Sequence, residues 1–213
     1  MMRLPFNLAS IGIVVAMVSG ASCGGSDGGG GTCAMANACG GDIVGNWKVT
    51  SSCVKVSGNI GDPDCPTATA DATFQATGTA SYTAALTYSL ALTLTGTETV
   101  HLPATCLIQG GVTFTCDQLN QIFAANPPDP TITSIHCASA GGGGCSCTAQ
   151  LQPMDDNESG TYTTAAGILT TTQSGNPPDS GGYCVKGTEL DLTLPPGMDP
   201  GVMGSGSLTL TRQ

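Results

Sequence analysis

Charge is what this chain has least of. Only 9% of its 213 residues are charged, and Lys and Arg number 5 against 15 Asp and Glu. Five cations build no basic face, so composition excludes a nucleic-acid partner. The formal charge of -10 therefore comes from scarce cations, not from an acidic tail. Aromatic residues are also scarce, at 4% with a single Trp. The near-continuous apolar runs of a parallel-sheet enzyme are missing, as are the Ala/Glu/Lys/Leu stretches of a helical bundle. No G-x-S-x-G, H-E-x-x-H, P-loop or dinucleotide fingerprint occurs. What the chain has instead is Gly 31, Pro 13 and Cys 11. That composition suits one all-β domain, because sandwiches and barrels often run to about 200–250 residues as a unit.

The N-terminal segment reads as an export signal. Arg3 is followed by an apolar run from Leu8 to Val18, shorter than the roughly 20 residues of a membrane-spanning helix but suited to a signal h-region. Ser19-Gly20-Ala21-Ser22 then leads into Cys23. A cysteine directly after small residues at the end of an h-region resembles the lipobox of bacterial lipoproteins. The resemblance implies that Cys23 is diacylated and becomes the first residue of the mature chain, at the outer membrane facing the periplasm or the cell surface. Ordinary cleavage nearby, with Cys23 in a disulfide, is the alternative. Two acyl chains anchor stably where one binds only marginally. Gly24 to Thr32 reads GGSDGGGGT, a flexible coil that buries nothing. The expected organisation is a signal peptide over 1–22, a lipid-anchored Gly-rich linker over 23–41 and a β-barrel domain over 42–213.

An odd cysteine count in an exported chain asks for an explanation. If Cys23 carries lipid, ten cysteines remain, enough for five disulfides. The competing reading is a metal site drawing on His136-Cys137 and Cys145-Ser146-Cys147, but neither C-x₂-C nor H-x₃-H spacing is present. An oxidising compartment favours pairing, so disulfides are expected and no metal or other cofactor. By sequence proximity the first choices are Cys33 with Cys39 and Cys106 with Cys116.

Period-two alternation dominates the rest of the chain. From Tyr82 the even positions read Tyr82, Ala84, Leu86, Tyr88, Leu90, Leu92 and Leu94, while the odd ones are Ser, Thr or Ala. One face is apolar and the other small and hydroxylated, which describes a half-buried strand. A turn or bulge is expected at Thr95-Gly96-Thr97. Further strands are expected over 43–54, 68–76, 131–137, 145–152, 159–165, 167–173, 182–187, 188–194 and 206–212, punctuated by Gly, Pro and Asn. Asn157-Glu158-Ser159-Gly160 and Ala165-Ala166-Gly167 read as hairpin connections. One short helix is expected over 117–125, with Thr115 or Asp117 as N-cap. The expected fold is all-β: an antiparallel up-and-down barrel of about eight or more strands, with one short helix and several disulfides.

Gly45-Asn46-Trp47, leading into the first strand, resembles the G-x-W motif that opens lipocalin-like barrels. The resemblance spans roughly 42–213, by architecture more than by identity. It implies that Trp47 plugs the closed end of the barrel and that a basic residue at the end of the last strand, here Arg212, lies across the indole. Both roles are structural.

Candidates for chemistry are few. His101 falls on the exposed phase of its strand, and His136 abuts Cys137. Asp155-Asp156-Asn157-Glu158 and Asp62-Pro63-Asp64 could offer oxygen ligands to Ca²⁺, but turn chemistry alone accounts for Asp and Asn at such places. No catalytic group is marked, and an enzyme is not expected. Tyr82, Leu86, Tyr88, Leu90 and Leu92 are the inward candidates to line a binding cavity. The expected function is a monomeric cell-envelope lipoprotein, attached to the membrane by its lipid, that binds a small apolar ligand inside the barrel. The alternative is a structural or protein-interaction module of the envelope with a filled core.

Overall fold

The computed structural model describes residues 33, 37–60, 62–126, 130–194 and 202–213. Arg3, the apolar run, Cys23 and the Gly-rich segment lie outside the described residues. The described residues divide into two compact units, one formed by those up to Val56 with Thr73–Thr95 and Pro153–Gln213, the other by Ser57–Ala72 and Gly96–Gln152.

The first unit is a ring of strands. In chain order these are β1 (Gly45–Asn59), β2 (Thr69–Tyr82), β3 (Thr87–Leu102), β8 (Met154–Ala165), β9 (Ile168–Thr172), β10 (Asp179–Lys186), β11 (Glu189–Leu194) and β12 (Val202–Arg212). Each pairs with the next, β12 pairs with β1, and the β2–β3 pairing completes the circuit. Eight antiparallel strands closed in this way make an up-and-down barrel with no free edge. The connections are tight. Ala166 and Gly167 both take positive φ (50° and 80°) between the paired residues Ala165 and Ile168, the backbone that a two-residue hairpin requires. Gly78 (φ +130°) on β2 lies tight against the β3 backbone, and a Cβ there would collide with the Ala91 carbonyl oxygen. Only glycine fits.

Inward positions alternate with outward ones, as period two demands. Leu190 opposite Leu210 and Leu192 opposite Leu208 bring four leucines into the core, beside Trp47, Val49, Tyr82, Tyr88, Leu92, Tyr162 and Tyr183.

The second unit holds β4 (Ile108–Gln109), β5 (Val112–Thr113), α1 (Cys116–Ala125), β6 (Ile132–Ser139) and β7 (Cys145–Leu151). Here β7 pairs with β6 and with Thr97–Leu102 of β3. The helix starts at a capping box: the Thr115 hydroxyl accepts from the Gln118 N–H, and the Gln118 side chain accepts from the Thr115 N–H. Two orphan donors of the first turn are thereby satisfied. Phe123 on this helix packs with Leu107, Cys116, Cys137, Cys145 and Cys147.

All ten described cysteines are paired: Cys33–Cys53 and Cys39–Cys184 in the barrel unit, and Cys65–Cys106, Cys116–Cys145 and Cys137–Cys147 in the second. The proximity pairings Cys33–Cys39 and Cys106–Cys116 are thus corrected. Sheet register and tertiary contact, not sequence distance, bring thiols together; Cys137 and Cys147 are direct cross-strand neighbours. Cys33 and Cys39, expected in a linker, are bonded to the barrel unit. Five disulfides fit an exported protein, and among the described residues no helix is long and apolar enough to cross a membrane.

Three local expectations change. The alternation begun at Tyr82 is two strands, not one: β2 ends at Tyr82, Thr83 and Thr87 close a turn, and β3 starts at Thr87. Leu86 falls in that turn with φ 60° and half its surface exposed (50%). β3 continues through 95–97 without a turn; what changes there is its partner, β8 up to Leu94 and β7 from Thr97. Finally, Asp155–Gly160 is no hairpin connection or solvated turn. These residues lie inside β8, paired with β3 from Leu94↔Met154 to Thr87↔Thr161.

Candidate functional site

The start of β1 and the end of β12 meet through Trp47 and Arg212. Trp47 is fully buried and its indole N–H donates to the Ile43 carbonyl at 2.8 Å. Arg212, at the end of β12, stacks over it with the guanidinium carbon 4.6 Å from the ring centroid and donates from Nη2 to the Asp42 carbonyl at 3.1 Å. A stack of this kind is worth about 0.5–2 kcal/mol.

In the same buried cluster as Trp47 stands a group of tyrosines. Tyr82 and Tyr162 meet edge to face with centroids 5.2 Å apart, and Tyr82 and Tyr88 stack at 6.3 Å. The Tyr162 hydroxyl donates to the Thr83 carbonyl and that of Tyr183 to the Gly41 carbonyl. Tyr88 differs. It is 97% buried, yet its hydroxyl has no hydrogen-bond partner. An unsatisfied buried polar group typically costs about 1–3 kcal/mol. Tyr88 is seated against Gly160, its cross-strand partner. A Cβ at Gly160 would stand 3.1 Å from the Tyr88 ring and strike the Thr172 carbonyl oxygen.

Moving along β3 and β8 from Tyr88, the inward phase pairs Leu90 with Glu158, Leu92 with Asp156 and Leu94 with Met154. Two carboxylates therefore alternate into the barrel on β8, both half-buried, while Asp155, Asn157 and Ser159 between them are exposed. On the next strands Thr171 is paired with Asp179, both half-buried. Burial pushes the Glu158 carboxyl above its ordinary range, and the neighbouring charges of Asp156 and Asp179 push it further, while Gln173 partly offsets the shift. Asp156 and Asp179 are raised by burial as well, the latter moderated by the Ser180 N–H. Burial, then Glu158, raises the Tyr88 phenol, and the nearby polar side chains of Gln173 and Thr171 partly offset the shift. Tyr82 is raised well above the usual phenol range by burial and by Tyr88, Tyr162 and Glu158. Aromatic and aliphatic walls with a few converging polar groups of shifted pKa are the usual make-up of a small-molecule site.

Of the five side chains expected to line the interior, Tyr82, Tyr88 and Leu92 are buried in the barrel core and Leu90 packs against it. Leu86 is turned to solvent. Sequence reasoning assigned Asp156 and Glu158 to a turn and did not single out Asp179. The available signal was parity: counted from Tyr162, both β8 acids share its inward phase.

The second unit has a site of its own, an apolar cavity of about 50 Å³ whose lining includes Ile60, Leu102, Leu107, Phe114, Leu119 and Phe123. Gln109 also lines it, and its side-chain oxygen is buried without a partner. Ligand cavities run to about 300–1,000 Å³, so this space is too small for one. Glu98, opposite Ala149, is buried in the same unit and raised by that burial.

Asp71, His101 and Ser146 also come together. His101 Nε2 lies 3.0 Å from Asp71 Oδ2, and its Nδ1 lies 3.5 Å from Ser146 Oγ. His101 faces Ser146 directly across β3 and β7. The His101 and Asp71 side chains are 46% and 60% exposed, so open solvent screens this trio as it does any surface pair. His136 is exposed on β6. Asp62 and Asp64 form the expected turn, with the Asp64 N–H donating to Asp62 Oδ1. Among the described residues no three His, Cys, Asp or Glu are placed to hold a metal ion.

Compared with family models, curated proteins and solved structures, the chain matches none of them.

Proposed function

We propose that this protein is a lipid-anchored binding protein of the bacterial cell envelope, holding a small, mostly apolar molecule in a lipocalin-like barrel. The observation that carries this reading is the make-up of the barrel's interior, where a tyrosine hydroxyl is buried unpartnered beside half-buried carboxylates. A purely structural core gains nothing from such groups, which cost stability unless something bonds to them. The lipobox-like sequence ending at Cys23, and the pairing of the other ten cysteines, support an acylated Cys23 at the outer membrane. In this reading the protein is monomeric and not an enzyme.

A second reading, a structural or protein-interaction module with a filled barrel, is favoured by the tight packing of Trp47, Leu190 and Leu210, all without exposed surface. Native mass spectrometry of protein purified from membranes, followed by denaturation, separates the two. The expected denatured mass lacks residues 1–22 and carries a diacylglyceryl group and five disulfides, and the native form carries a small adduct that denaturation releases. A lipidated protein without an adduct selects the filled module. An unlipidated chain found in the soluble fraction overturns the anchor.

A further inference from the structure

The acids inside the barrel say what kind of molecule belongs there. We infer that the ligand is a cation, an organic ammonium whose charged nitrogen sits against Glu158 and Asp156 within reach of the Tyr88 hydroxyl, with its apolar body along Tyr82, Leu90 and Leu92. The inference deepens the barrel-ligand reading and rests on it.

The geometry is set by strand register. Glu158 and Asp156 occupy consecutive inward positions of β8, opposite Leu90 and Leu92. Both are half-buried, whereas Asp155 on the outer phase is exposed. The electrostatic neighbours of Glu158 are themselves acids, Asp156 and Asp179. Asp156 and Asp179 therefore make Glu158 harder to ionise, and all three sit where water solvates them poorly. A positive charge among them relieves repulsion and desolvation together, and a neutral apolar molecule relieves neither. A second observation is the Tyr88 hydroxyl, buried without a hydrogen-bond partner, with Gln173 and Thr171 nearby and Glu158 and Asp179 as its electrostatic neighbours. Its oxygen accepts a hydrogen bond that an ammonium N–H can donate. The tyrosine rings add faces that attract cations. A small organic ammonium has the shape for this arrangement: one charged tip, then a body that packs on Leu90, Leu92 and Tyr82.

The test is calorimetric titration of the full-length protein, disulfides intact, with 2-phenylethylamine and its neutral counterpart 2-phenylethanol. The amine is expected to bind about tenfold tighter or more at about pH 7.5. Glu158→Gln keeps the shape of the side chain and should remove about tenfold of the amine's affinity while leaving the alcohol's unchanged. Asp155→Asn makes the same charge change on the outer face of β8 and should leave both ligands unaffected. Near-ultraviolet circular dichroism of the tyrosines reports whether each variant keeps its core, and Asp156→Asn serves as second probe should Glu158→Gln not fold. As pH falls into the raised range of Glu158, Asp156 and Asp179, amine affinity should fall and alcohol affinity hold. An alcohol that binds as well as the amine, or a Glu158→Gln variant with undiminished amine affinity, overturns the cationic ligand while the barrel site stands. Absence of binding by either compound, with no releasable adduct in the native mass spectrum, overturns both.

Discussion

Arg212 joins the end of β12 to the start of β1 with one side chain: its guanidinium covers the Trp47 ring at 4.6 Å and reaches the Asp42 carbonyl. Truncating it uncovers the fully buried Trp47 and removes a hydrogen bond. Arg212→Ala is therefore expected to cost about 1–3 kcal/mol in urea unfolding, and Arg212→Lys to restore only part, because an ammonium lacks the planar stacking surface. An Arg212→Ala midpoint equal to that of the parent would show that the stack contributes nothing. The resemblance of Gly45-Asn46-Trp47 to the G-x-W motif implied this pair. Glu158 was not legible in the same way. Asp, Asn, Glu and Ser in succession carry the composition of a turn, and only their phase relative to Tyr162 marks alternate members as inward.

Strand β8 carries the barrel's pH dependence. A carboxyl whose pKa is raised on folding binds more protons in the folded chain than in the unfolded one, so stability falls as pH rises through that range. Glu158, Asp156 and Asp179 are all raised. Their penalty is absent below the ordinary carboxylate range near about 4 and complete above their folded values. The urea midpoint should thus be higher at about pH 5 than at about pH 7.5, and Glu158→Gln should flatten the difference. A midpoint that rises with pH would contradict the burial of these acids. Period two made most strands readable at this scale, yet it concealed the β2–β3 hairpin. Tyr82 and Tyr88 both face inward and lie an even number of residues apart, so the alternation runs through the turn in unbroken phase. Leu86 kept the right parity and ended up in the wrong place.

Across the whole molecule the bridges divide the stability among them. Cys39–Cys184 spans 145 residues, against 10 for Cys137–Cys147. In the chain-entropy view the long loop is worth about 4–5 kcal/mol and the short one about 3 kcal/mol, with Cys65–Cys106 and Cys116–Cys145 shortening the long path somewhat. Replacing Cys39 and Cys184 together by Ser should lower stability more than replacing Cys137 and Cys147, as read by urea unfolding of each double variant. The reverse order would place the main constraint elsewhere. The same connectivity bears on how the protein is made. A chain oxidised strictly in the order its thiols emerge from a membrane pore would join Cys33 to Cys39, Cys53 to Cys65, Cys106 to Cys116, Cys137 to Cys145 and Cys147 to Cys184, and not one of those bonds is native. Cys39 waits for nearly the entire polypeptide before its partner arrives. Thiol–disulfide exchange through mixed intermediates is the route out of such errors, so secretion of the native form should depend on a disulfide isomerase, and cells lacking one should accumulate scrambled isomers separable by non-reducing electrophoresis. The bonds that harden the finished protein make its biogenesis a matter of editing.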